Sequence, residues 1–174
     1  MKFASGVQLI SHQATNLNKP TRWADLGCGT GFFTNVLSSM LAKGSTIYAV
    51  DTDASAVKKV NIAEGINLET FVFDFTKTAW PFTALNGILL ANALHYVKDK
   101  NTLAERLKKH FAADGCVLIV EYDTNAANPW VPYPISYQVL KELCVQHSFS
   151  SIEKIGEMPS AFGRANLYGA LIKV

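Results

Sequence analysis

The sequence predicts an α/β domain with a mainly parallel sheet and helices on both faces, and three observations carry that prediction. Strand-like and helix-like segments alternate through most of the chain, as in repeated crossover units. Several strand-like segments are nearly continuous apolar runs, the pattern of strands covered on both faces. The alternation then stops, and two final strand-like runs with only a Pro-containing loop between them predict an antiparallel hairpin at one edge.

The elements follow in order. Phe3, Val7, Ile10 and Ala14 have helical spacing over residues 3–16, and Pro20 bars continuation. Residues 22–26 read as a short strand. Residues 30–42 read as an apolar helix capped by Gly29 or Thr30 and closed by Lys43-Gly44. Residues 46–50 are rich in β-branched and aromatic side chains, hence a strand, and Asp53 caps a helix through Val60. Strands are expected at 68–73 and 86–91, with Trp80-Pro81 punctuating the loop between them. A helix at 100–111, a turn at Asp114-Gly115 and a buried strand at 116–121 come next. Pro134 opens a helix to about His147, and strands at 151–156 and 166–173 end the series.

Bulk properties bound the function. At 174 residues and 19.0 kDa the chain suits one domain, 1–174, with no cap or inserted substrate domain. Charged residues make up 17% and the net charge is +2, so neither a polyanionic nor an acidic partner is implied. Lys98, Lys100, Arg106, Lys108 and Lys109 cluster, but Asp99 and Glu105 interrupt them, which reads as a solvated helix face rather than a nucleic-acid patch. Cys28, Cys116 and Cys144 show no metal-ligand spacing and suit free thiols in a reducing, cytoplasmic setting; no metal is expected. No apolar run is long enough to span a bilayer, and the first residues lack a signal-peptide core.

In such a sheet ligands bind at the carboxyl ends of the strands, near the switch in strand order. Those ends carry Asp25 and the glycines after the first strand, Asp51 after the second, Asp74-Phe75 after the third and Asn92 to His95 after the fourth. The glycine turn is D-L-G-C-G-T-G. A dinucleotide fingerprint would need glycine where Phe32 stands, and an acid directly before the turn repels a pyrophosphate. Asp25 favours an ammonium, the following helix N-terminus a carboxylate, and an amino-acid zwitterion satisfies both. Asp51 can accept hydrogen bonds from a ribose diol and Asp74 from an exocyclic amine, with Thr52 or Phe75 against the base.

Amino acid, ribose and purine together describe S-adenosylmethionine. D-L-G-C-G-T-G, Y-A-V-D, F-D-F and L-L-A-N-A-L-H-Y-V resemble, in order and spacing, the motifs of class I S-adenosylmethionine-dependent methyltransferases. The resemblance implies a Rossmann-like, doubly wound, seven-stranded sheet with the last strand antiparallel. It implies that Gly27, Cys28, Gly29 and Gly31 form the turn beside the methionine part and that Asp25 contacts its ammonium. By the same resemblance Asp51 holds the ribose hydroxyls, Asp74 and Phe75 the adenine, and Asn92 lies near the reacting methyl. Asn86 departs from the pattern, which commonly has aspartate there; it lies at the start of its strand, away from the ligand edge. The fourth motif also lacks the N-P-P-Y or D-P-P-Y arrangement of amino-methylation on nucleic acid.

Methyl transfer from a sulfonium needs alignment first, and a general base only where the nucleophile carries a high-pKa proton. His95 is the candidate base, against the simpler role of supporting its loop. The loop at 121–134 is long for a connection in such a sheet and carries Glu121, Tyr122, Trp130 and Tyr133 as candidate acceptor-pocket or lid residues. Phe162 and Arg164 border the same region from the final hairpin. The expected acceptor is a small molecule, with room for a homo-oligomeric partner to cover the site. A non-catalytic cofactor-binding subunit and a protein or RNA methyltransferase are the alternatives.

Overall fold

The computed structural model describes residues 1–13, 18–160 and 165–174. Helix α1 (Phe3–Ile10) precedes strand β1 (Arg22–Leu26), α2 (Phe32–Ser38), β2 (Thr46–Asp51), α3 (Ala54–Val57) and β3 (Asn67–Val72). Then come β4 (Leu85–Ala91), a 3-10 turn (Leu94–Tyr96), α4 (Lys100–Lys108), β5 (Phe111–Tyr122), α5 (Tyr137–Gln146), β6 (Ser151–Pro159) and β7 (Asn166–Lys173). The seven strands form one sheet in the order β3-β2-β1-β4-β5-β7-β6. β7 pairs antiparallel with both β5 and β6, and every other pairing is parallel. This is the Rossmann-like, doubly wound sheet that the sequence predicts, edge hairpin included.

The two-residue period of a strand divides the core. Trp23, Ile47, Leu89, Leu118 and Leu171 pack with Leu9 and Ile10 of α1 and Phe33, Val36 and Leu37 of α2. Ala24, Val50, Leu90, Ile119 and Ile172 face the other way, against Leu103 and Leu107 of α4 and Leu140 and Cys144 of α5. Among the described residues no helix is long and apolar enough to cross a membrane.

Several bounds differ from expectation. α1 stops at Ile10, and Ala14 lies outside the described residues, as do Phe162 and Arg164. α2 ends at Ser38, where the Ser38 and Ser39 hydroxyls donate to Asn35 and Val36 carbonyls and Ser38 Oγ also accepts the Ala63 N–H. Such side-chain bonds compete with the helical ladder. Its N-cap is Gly31, in the left-handed region, rather than Gly29 or Thr30. α5 begins at Tyr137 because Ser136 caps it and Asp123 accepts the Tyr137 N–H. Asp114 has φ +63° and sits within β5, whose pairing with β4 jumps from Leu85↔Phe111 to Gly87↔Cys116, so the expected turn is a bulge. Asn86 Oδ1 accepts the Arg22 N–H at 2.9 Å, which joins the starts of β1 and β4. The basic cluster on α4 is not simply solvated: Lys100, Arg106 and Lys108 each donate to backbone carbonyls of neighbouring segments.

Candidate functional site

A cleft of about 410 Å³ opens at the carboxyl ends of β1, β2, β3 and β4. Gly27 forms its floor, Asp51 and Thr52 one side, Asp74, Phe75 and Thr76 another, and Asn92, Ala93, Tyr96 and Val97 the side toward β5. Six of the residues singled out in the sequence therefore line one space: Gly27, Asp51, Thr52, Asp74, Phe75 and Asn92.

The glycine turn is anchored from beneath, with the Gly27 and Cys28 N–H groups both donating to the Val50 carbonyl at 2.8 and 3.0 Å. Gly27 and Gly31 have positive φ and no room for a side chain: a Cβ would lie 2.7 Å from the Ala93 Cβ and 2.9 Å from the Val60 Cα respectively. Gly29 differs, since a Cβ there would meet nothing within 4 Å. Cys28 is buried beside the turn, its thiol pushed well above the ordinary range by burial, with the charges of Asp25 and Asp51 adding to it. That leaves no thiolate for nucleophilic chemistry.

Asp51 is fixed by the backbone. Its Oδ2 accepts the Gly29 N–H at 2.8 Å and its Oδ1 the Asp53 N–H at 3.0 Å, so each oxygen retains acceptor capacity. Asp53 in turn caps α3 by accepting from Ser55 and Ala56. Asp74 is held in its own turn by the Thr76 N–H and hydroxyl at 2.9 and 2.6 Å, and pairs with exposed Lys77 at 2.9 Å. Burial raises its carboxyl, but the bonds from Thr76 and Lys77 outweigh that and hold it below the usual range.

Asn92 has φ +54°, a conformation that asparagine tolerates better than most residues, and its N–H donates to Val120 at 2.8 Å. Its Oδ1 is buried and has no hydrogen-bond partner among the described residues. A buried acceptor without a donor is costly unless a ligand supplies one. An ammonium of a bound amino-acid moiety is such a donor, and the cleft chemistry fits S-adenosylmethionine on that ground.

Asp25 departs from expectation. It is 1% exposed, accepts from the Thr34 hydroxyl of α2 at 2.6 Å and does not line the cleft. Burial pushes its carboxyl up to about 7, the Thr34 bond opposing and the charge of Asp51 assisting.

His95 and Glu121 also lie outside the lining, at 2% and 1% exposure. Glu121 is spent on its neighbour: Oε1 accepts the His95 backbone N–H at 3.0 Å and Oε2 lies 2.7 Å from Nδ1. The His95 carbonyl accepts the Tyr133 N–H at 3.0 Å. Tyr122 is half-buried, its hydroxyl pushed up by burial and by the proximity of Glu121 and Tyr96. Trp130 is 80% exposed in the loop beyond β5, and neither it nor Tyr133 lines the cleft. The aromatic side chain that does line it on this side is Tyr96, 58% exposed, with His95 against it at 4.3 Å between ring centroids. In the sequence only its place two residues after Leu94, in a turn at the ligand edge, marks Tyr96 out.

Among the described residues no group of three or more His, Cys, Asp or Glu side chains is placed to hold a metal ion. No curated protein matches the sequence. In structure the chain is similar to a SAM-dependent methyltransferase of Aquifex aeolicus, with TM-score 0.70, 16% identity and coverage of 98% of this chain and 93% of that one. It is similar as well to a SAM-dependent methyltransferase of Methanosarcina mazei, with TM-score 0.68, 15% identity and coverage of 91% and 93%. For an S-adenosylmethionine-dependent methyltransferase of Mesorhizobium loti the values are 0.67, 14%, 90% and 92%. Residues 3–167 match the family model of the methyltransferase domain, and with the motif set and the fold this makes the chain a member of that family, a class I S-adenosylmethionine-dependent methyltransferase.

Proposed function

We propose that the chain transfers the methyl group of S-adenosylmethionine to a small, largely planar or apolar acceptor presented on the Tyr96 side of the cleft. The observation that carries this reading is the buried Oδ1 of Asn92, without a partner among the described residues, in a cleft whose other side offers the acceptors of Asp51. Asn92 takes the ammonium of the methionyl part, and Asp51 takes the ribose hydroxyls with the lone pairs that Gly29 and Asp53 leave free. Asp74 has one oxygen held by an exposed lysine, a partner that an exocyclic amine displaces at little cost, and Phe75 and Thr52 flank the base. Asp25 acts from behind the glycine turn through its charge. The bound cofactor supplies an already activated methyl, so the protein's task is alignment and exclusion of water.

The exposed rings of Tyr96, Tyr133 and Trp130 and the near-neutral net charge support a small neutral acceptor over a polyanion. His95 and Glu121 serve this side by holding its wall, since both donors of His95 on that face already meet Glu121. A calorimetric titration with S-adenosylmethionine tests the cofactor half, with Asp51→Ala expected to weaken binding at least tenfold. Transfer of labelled methyl across a panel of small phenols, carboxylates, thiols and amines, beside protein and RNA, tests the acceptor half. Labelling confined to protein or RNA would overturn it.

A further inference from the structure

The basic residues of α4 turn inward. Arg106 Nη1 donates to the Phe75 carbonyl at 3.0 Å and to the Thr78 carbonyl at 2.8 Å. Both carbonyls belong to the turn after β3. Within that turn the Asp74 carbonyl is satisfied by the N–H groups of Lys77 and Thr78, at 3.1 and 2.9 Å. The Phe75 and Thr78 carbonyls are instead taken from outside, by Arg106 and, at Phe75, by the indole N–H of buried Trp80 at 2.9 Å. Among the described residues, the outward carbonyls of the turn that presents Asp74 and Phe75 to the cleft are thus held by two side chains, Arg106 and Trp80. One of them is charged, planar and anchored on a different element, a combination that fixes direction as well as distance.

We propose that Arg106 is a positioning residue for the adenine end of the cofactor: it sets the Phe75 ring and the Asp74 carboxylate at the cleft wall by holding the turn's outward carbonyls. The inference rests on the reading that Asp74 and Phe75 hold the base. Without the guanidinium the Thr78 carbonyl loses its partner and only the Phe75 carbonyl, through Trp80, keeps one, so that end of the turn is free to pivot. Phe75 then leaves its place over the Gly27 floor, where its ring lies 3.7 Å from the site of a Gly27 Cβ. Lys108, two residues along α4, makes the same kind of double contact, with the His147 and Ser148 carbonyls at 2.6 and 3.1 Å. Its target is the end of α5, which contributes nothing to the cleft.

That symmetry supplies the control. Calorimetry with adenosine and with S-adenosylhomocysteine is run on wild type, Arg106→Met, Arg106→Lys and Lys108→Met, each well below its own melting temperature. Arg106→Met is expected to raise Kd for both ligands by the same factor, roughly tenfold, the scale of one lost charge-assisted bond. Arg106→Lys, which keeps a charged donor, is expected to recover most of the loss. It also carries the test by itself, at about threefold, should the methionine variant not fold. Lys108→Met should bind adenosine as wild type does. Adenosine binding within twofold of wild type by Arg106→Met, or by Arg106→Lys should the methionine variant not fold, overturns the proposal, as does an equal loss in Lys108→Met. Wild type binding neither ligand overturns instead the cofactor reading on which the proposal stands.

Discussion

Asp25, buried behind the glycine turn, is a carboxylate whose ionisation costs stability. On β1 it shares the face of Trp23, so strand alternation sends its side chain under α2, where Thr34 meets it, instead of over the edge into the cleft. Burial is the main reason its carboxyl titrates near 7. The folded protein therefore binds this proton more tightly than the unfolded chain, whose carboxyl titrates near 3.8. The stabilisation is complete below that lower value and is lost as pH rises toward about 7. Asp25→Asn removes the titration: its melting temperature relative to wild type should climb between pH 4 and 7 and stay higher at pH 8, as thermal scans across pH would read. Binding runs the other way, because a cationic ligand favours the ionised carboxylate. Wild-type affinity for S-adenosylmethionine should rise from pH 6 to pH 8, while that of Asp25→Asn stays flat. A flat wild-type profile would show that the charge of Asp25 plays no part in binding.

At the scale of elements, the turn after β4 and the loop after β5 are locked together by one buried residue pair. Glu121 reaches back from β5 to both donors of His95, and His95 passes the connection to Tyr133. In His95→Leu the Glu121 carboxylate keeps the backbone N–H of residue 95 on Oε1 but loses the ring partner of Oε2, and a buried acceptor left without a partner costs about 1–3 kcal/mol. His95→Leu should thus lower the melting temperature by roughly 2–12 °C for a domain of this size. Glu121→Gln, which keeps a hydrogen-bonding side chain, should lose far less. Denaturation of the three proteins at one pH decides this, and an unchanged His95→Leu would remove the pair from any account of the wall. Nothing in the sequence pairs residues 95 and 121, since the contact depends on β4 and β5 lying side by side. The strands, the Asp53 cap and the glycine turn were legible because local chemistry dictates them: β-branched runs, a side chain over free N–H groups, positive φ. That Trp130 and Tyr133 lie off the cleft was not legible, because the 14-residue stretch between β5 and α5 has no period to orient it. The inward turn of the α4 cations escaped for a related reason: their partners are backbone carbonyls, which every sequence has.

For the whole molecule, the sheet order places the crossover reversal between β1 and β4, and the cleft lies there. Each wall comes from a separate chain segment: the glycine turn after β1, Asp51 after β2, Asp74 after β3 and Asn92 after β4. A ligand touching all four bridges segments that the unfolded chain scatters, so its binding energy is linked to global folding. At a concentration of about 100 times Kd such a ligand stabilises the native state by roughly 2.7 kcal/mol. For a domain of this length that corresponds to a rise in melting temperature of about 5–11 °C. S-adenosylmethionine should produce that shift in wild type. Asp51→Ala, whose own melting temperature should change little because the carboxylate lies at the rim of the sheet and, among the described residues, accepts only the backbone N–H groups of Gly29 and Asp53, should lose most of it at the same ligand concentration. Asn92→Leu separates the two effects further. It deletes the one buried side-chain acceptor that has no partner among the described residues, so the ligand-free protein should melt no lower than wild type apart from the strain of a leucine at positive φ. Its ligand-induced shift should nevertheless shrink. A full shift in Asn92→Leu would mean that the cofactor's ammonium is held elsewhere in the cleft.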